Sequence, residues 1–119
     1  MKRIIAAFFN SVAGLRHGFS HETAIREELI VLAVSVPVAP LIARDLWHLL
    51  LLWSVLLLLL LTELLNTGIE QVANKVTREY ADEIRFAKDC GSAAVLMAIL
   101  IAAGVWALSL SEYFGWLQI

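Results

Sequence analysis

The sequence predicts an all-α membrane protein, in which an N-terminal amphipathic helix lies on the membrane surface and three transmembrane helices follow. Three observations carry that expectation. Of 119 residues, 61% are hydrophobic, and the mean hydropathy is +0.80, both beyond the composition of a soluble domain. Three stretches, 29–43, 46–65 and 90–110, approach the roughly 20 apolar residues needed to cross a bilayer as helix. Residues 3–20 show a helical repeat of apolar positions, with polar residues on the other side. The length suits one domain, 1–119. A net charge of −2 without a basic stripe sets nucleic acid aside as a partner. The single cysteine, Cys90, cannot form an intramolecular disulfide, and no Cys/His cluster has zinc spacing.

In the first element, Ile4, Ile5, Phe8, Phe9, Val12, Leu15 and Phe19 fall on one face at 100° per residue, opposite Arg3, Asn10, Ser11, Gly14 and His17. This pattern suits a helix lying in the interface. Lys2 and Arg3 precede an apolar run, but that run is short and soon interrupted, so a cleaved leader is not expected. The first span, 29–43, carries Pro37 and Pro40 and is expected to kink. The second, 46–65, contains six consecutive leucines, and its helix is expected to continue to about residue 76. At ~1.5 Å per residue such a helix is ~46 Å long, more than the ~30 Å hydrocarbon layer. Its last turns must then stand outside the membrane. The third span, 90–110, carries a ridge of small residues, Ala94, Ala98 and Ala102, on which another helix could pack closely.

Lys2, Arg3, Arg16 and Arg26 precede the first span, and Lys75, Arg78, Arg85 and Lys88 lie between the second and third. Basic residues favour the cytoplasmic side, so the N-terminus is expected in the cytoplasm and the C-terminus outside. Trp47, Trp106, Tyr113 and Trp116 then gather at the outer interface as an aromatic belt.

The leucine run leads directly into Glu63, Asn66, Thr67, Glu70 and Asn74. With Glu63 at zero, the others fall at about −60°, +40°, −20° and +20°, which makes one polar face. A carboxylate near the membrane boundary asks for a partner and is a functional hypothesis by default. Glu63 and Glu70 are two turns apart, about 10.5 Å, which suits two roles better than one shared proton. One carboxylate in water can hold a hard cation such as magnesium, while the partly desolvated one can serve as a general base. Glu22, Glu27 and Glu28 offer further carboxylates on the same side, and Lys88 with Asp89 and Ser92 opens the third span. Neither a P-loop nor a protein-kinase motif set is present, so any nucleotide chemistry must be built from helices.

The segments "HETAIREE" (21–28), "ELLNTGIEQV" (63–72) and "REYADEIRFAKDCGSAAVL" (78–96) resemble the prokaryotic diacylglycerol kinase family. The resemblance runs over nearly the whole chain. It implies a multi-pass homotrimer of the bacterial cytoplasmic (inner) membrane with a periplasmic C-terminus and active sites shared between subunits. It also implies magnesium- and ATP-dependent phosphorylation of diacylglycerol to phosphatidic acid. On this sequence, Glu63 would be the general base, with Asn66 arranging the site. Glu22 and Glu70 would hold the magnesium bound to ATP, and Lys88 would neutralise the transferring phosphate. Arg3, Asn10, Glu79, Tyr80, Ala81, Asp82 and Asp89 would border the nucleotide, and Arg3, Ser11 and Ser92 would line the lipid approach. Asn74 and Asn10 depart from the family pattern, which commonly has Asp and an aromatic residue there. Undecaprenol kinase, in the same family, and a non-catalytic membrane assembly protein are the alternatives.

Overall fold

An extended residue, a tight turn and one loop divide the chain into four helices in the computed structural model, which describes residues 1–77 and 79–116. The helices are α1 (Lys2–His21), α2 (Thr23–Ile42), α3 (Leu46–Val76) and α4 (Asp82–Tyr113). Among the described residues all regular structure is helical, as the composition predicts.

The breaks have local causes. Glu22 is extended (φ −119°, ψ 115°) and ends α1 while its N–H still donates to the Gly18 carbonyl at 2.8 Å. Arg26 then fixes the junction by donating from Nε to the Phe19 carbonyl (2.8 Å) and from Nη2 to the Ser20 carbonyl (3.1 Å). Asp45 caps α3 by accepting the His48 N–H at 2.8 Å, which satisfies one of the free donors of a helix start. α4 begins with Asp82 and Glu83, whose negative charge suits the positive end of a helix.

α3 and α4 are long and apolar enough to cross a bilayer. Only 22% and 17% of their most apolar stretches are buried within the protomer, so they are not core helices of a water-soluble fold. α2 does not join them by that measure, because Arg26, Glu27 and Glu28 occupy its first turns and leave a shorter apolar stretch. It runs unbroken as helix through Pro37 and Pro40. α4 starts at Asp82, well before the predicted span at 90, and so places Lys88 and Asp89 inside the helix instead of at its opening.

α3 packs along α4 and against α2, α1 packs against α2, and α2 touches α4 only lightly. The buried residues of α4 are Gly91, Ala98, Ala102 and Ser109, at steps of seven, four and seven that keep one narrow stripe in register. Ala98 and Ala102 of the predicted ridge belong to it. Ala94 is exposed, because constant steps of four drift around the helix, and Gly91 takes its place. Near the other end of the bundle, Ala39, Ile42 and Leu52 form the apolar core, with Trp53, Val105, Trp106 and Leu110 packed around them. The indole N–H groups of Trp53 and Trp106 donate to the carbonyls of Ser35 (3.2 Å) and Leu52 (3.0 Å), tying α2 to α3 and α3 to α4.

A polar knot lies beside this core. The Arg44 backbone N–H donates to His48 Nδ1 (3.0 Å), so the ring proton is on Nε2, which donates to Ser109 Oγ (2.8 Å). Ser109 in turn donates to the Val105 carbonyl at 2.7 Å, and the Arg44 guanidinium lies 3.6 Å from Glu112. His48 and Ser109 are 6% and 4% exposed, so a complete chain of partners is what makes their burial tolerable.

Candidate active site

α3 places the predicted polar face as one ladder. Asn66, 8% exposed, is its buried rung and donates from Nδ2 to Glu70 Oε1 at 3.3 Å. Its Oδ1 is buried without a hydrogen-bond partner and faces Gly91 of α4. A Cβ on Gly91 would lie inside the contact radius of Oδ1 and 3.1 Å from Asn66 Cγ. The missing side chain therefore lets α4 close over the ladder at this level.

One rung further out, Lys88 Nζ donates to Asn74 Oδ1 at 2.7 Å. Asn74 thus supplies an amide oxygen that fixes the lysine without neutralising its charge. Lys88 also lines an open cleft of about 460 Å³ between the end of α3 and the start of α4. Glu79, Tyr80 and Ala81 line the same cleft, as does Arg85. Arg85 lies 3.3 Å from Asp89, one helical turn away, so Asp89 is engaged there. Arg85 was read from the sequence only as a topology-setting cation, and its place beside Lys88 was legible as a step of three residues on one helix.

Glu22, at the α1–α2 junction, and Glu70 both lie within electrostatic reach of Glu63. Glu28 also faces Glu63; its Oε2 is buried without a hydrogen-bond partner. Its carboxyl is pushed up to about 7, first by burial and then by the negative charges of Glu63 and Glu27. Glu28 was noted in the sequence only as a nearby carboxylate, and it sits two turns along α2 from the Glu22 junction, on the side toward α3. None of Glu22, Glu28, Glu63 and Glu70 forms a salt bridge among the described residues. Carboxylate oxygens are among the hard donors that magnesium favours, together with phosphate and water oxygens. Among the described residues no group of three or more His, Cys, Asp or Glu converges as a closed metal site. Any such ion would thus depend on further oxygens, such as those of phosphate or water.

Other expected site residues stand apart. Arg3, Asn10 and Ser11 are exposed on α1, Ser11 Oγ donating to the Ala7 carbonyl at 2.9 Å, and none of them lines the cleft. Ser92 is exposed on α4, and Asp82 begins that helix just beyond Ala81. Within one protomer the site is therefore an acidic ladder joined to a basic cleft, with the α1 residues outside it.

The family described as prokaryotic diacylglycerol kinase matches residues 9–110. A diacylglycerol kinase of Escherichia coli (strain K12) is 38% identical over 113 residues, covering 95% of this chain and 93% of that protein. The diacylglycerol kinase of Pseudomonas aeruginosa is 36% identical over 107 residues, 90% of this chain and 87% of the relative. That of Haemophilus influenzae is 33% identical over 96 residues, 81% of each.

Proposed function

The chain belongs to the prokaryotic diacylglycerol kinase family and is a lipid kinase, and from that premise we propose that it transfers the γ-phosphoryl group of ATP to the primary hydroxyl of 1,2-diacyl-sn-glycerol, forming phosphatidic acid. The observation that carries this reading is the junction on α3 and α4 of a carboxylate ladder with the Lys88 cleft, at the end of two helices apolar enough to cross a membrane.

Glu63 accepts the proton of the lipid hydroxyl as its oxygen attacks the γ-phosphorus, the bond from that phosphorus to the β,γ-bridging oxygen breaks, and ADP leaves. Asn66 holds Glu70 through its Nδ2 donor and so sets the spacing of the ladder. Glu22 and Glu70 would hold magnesium, which would offset the negative charge of the phosphates. Lys88, aimed by Asn74, meets charge on the transferring group, in a reaction where positioning and charge neutralisation do most of the catalytic work. Glu79, Tyr80, Ala81, Asp82 and Asp89 border the nucleotide. Arg3, Asn10 and Ser11 reach a site from a neighbouring subunit of a homotrimer, which agrees with their separation from the cleft within one protomer.

The whole chain acts as one integral membrane domain. α1 lies on the cytoplasmic surface of the inner membrane, α2 crosses with α3 and α4, and the C-terminus is periplasmic. The Lys and Arg distribution supports this orientation. The exposed Ile4, Ile5, Phe8 and Phe9 of α1 support its place at the surface.

The test is magnesium-dependent transfer of labelled γ-phosphate by purified protein, with diacylglycerol and undecaprenol offered in separate mixed micelles. Labelled phosphatidic acid from the wild type, lost in Glu63→Gln with the oligomer intact, is the expected result. Preference for undecaprenol would change the acceptor. Transfer to neither by folded protein would overturn the catalytic reading of the site.

A further inference from the structure

The last turn of α1 carries two histidines, His17 and His21, one helical turn apart and both exposed. Their rings are stacked, with centroids 4.1 Å apart and planes 18° from parallel. His21 Nδ1 lies 3.0 Å from the His17 carbonyl. A carbonyl can only accept, so Nδ1 carries the proton and Nε2 presents its lone pair outward. This is the outer hydrogen bond that metal-binding histidines use to fix their tautomer and ring orientation. Among the described residues the His17 ring engages no hydrogen-bond partner, so it is free to turn a nitrogen the same way.

We propose that His17 and His21 form a bidentate site for a borderline-soft divalent transition-metal ion such as Zn2+, Ni2+ or Cu2+. Metal–imidazole bonds of ~2.0–2.1 Å place two cis nitrogens about 3 Å apart, which the His17 ring reaches by rotating out of the observed stacking. The remaining coordination positions are open to water. Imidazole selects these ions over magnesium, which keeps hard oxygen ligands, so the pair is chemically separate from the carboxylate ladder. The ion staples the last turn of α1 immediately before Glu22, through side chains four residues apart on one helix face.

The proposal does not depend on the kinase reading, and its test does not measure turnover. Untagged full-length protein in chelator-free detergent micelles is titrated calorimetrically with Zn2+ in excess Mg2+, beside His17→Gln, His21→Gln and Cys90→Ser. The expected result is one Zn2+ per chain, with affinity lowered on the order of 100-fold by either histidine change through loss of the chelate, and unchanged by Cys90→Ser. Paramagnetic resonance of the Cu2+-loaded protein should show two nitrogen ligands in the wild type and one in each histidine variant. Displacement by Mg2+, equal affinity in the histidine variants, or a single nitrogen in the wild type would each overturn the site.

Discussion

Replacing Gly91 by alanine tests whether the close approach of α4 to Asn66 sets the geometry of the ladder. The added Cβ would overlap Asn66 Oδ1 and stand 3.1 Å from Cγ and 3.6 Å from Cβ. Restoring ordinary contact distances requires a displacement of about 1 Å or more. Asn66 is 8% exposed and has little room to move alone, so either α4 retreats or the amide swings away from Glu70. Overpacking of this kind costs ~1–3 kcal/mol. Alanine recovers up to about 1 kcal/mol of helix propensity over glycine. The net loss of stability is then roughly 0–2 kcal/mol. Turnover should suffer more, since an error of about 1 Å in placing catalytic groups can cost ~100-fold in rate. The assay pairs the thermal midpoint in micelles with kcat at saturating ATP. Gly68→Ala is the control, because a Cβ there meets nothing within 4 Å, and it should keep wild-type kcat with equal or greater stability. If Gly91→Ala retained both the wild-type midpoint and wild-type kcat, the claimed constraint between α4 and the ladder would be wrong.

Four further changes probe other parts of the molecule. Asn74→Ala frees the Lys88 ammonium and should lower kcat several-fold, with Lys88→Ala lowering it on the order of 100-fold or more; steady-state kinetics separates the two. The Glu28 carboxyl is raised to about 7 in the folded chain against an ordinary 4.5, so its stabilising share is whole below about 4.5 and is lost as pH rises through 7. Glu28→Gln should accordingly raise the thermal midpoint relative to wild type at pH 8, with that advantage shrinking toward pH 5. Ser109→Ala removes the acceptor of the buried His48 Nε2–H and should destabilise by ~1–3 kcal/mol in denaturation. Its kcat at a temperature where the protein remains folded should be unchanged.

The helices and the ladder were legible because both rest on local periodicity. Glu63, Asn66, Glu70 and Asn74 share a face for any helix that continues through residue 74, and the Leu56–Leu61 run continues into one without a helix breaker. The start of α4 was not legible, because the charges from Asp82 to Asp89 read as a loop when the hydrocarbon span alone is sought. They are instead the opening turns of a helix of 32 residues. The Arg44–His48–Ser109–Glu112 knot joins residues 61 positions apart and depends on the register of α3 against α4, which neither segment encodes alone. Gly91 was hidden for the same reason: its significance lies in Asn66, on another helix. Glu28 read only as one of several nearby carboxylates until the packing of α2 against α3 turned it toward Glu63.

α3 is one uninterrupted helix from Leu46, next to Arg44 and Trp47, past Glu63 to Val76. The rise from Leu46 to Glu63 is ~26 Å, set against a hydrocarbon layer of ~30 Å. On the proposed placement, and with no hinge in that helix, the depth of Glu63 is measured from the far side of the membrane. The lipids then set the working level of the enzyme: a thicker bilayer draws Glu63 deeper into oil, and a thinner one lifts it toward water. The helix is a ruler, and the rate at which a lipid alcohol meets a water-soluble phosphate donor should follow the thickness of the membrane that supplies it.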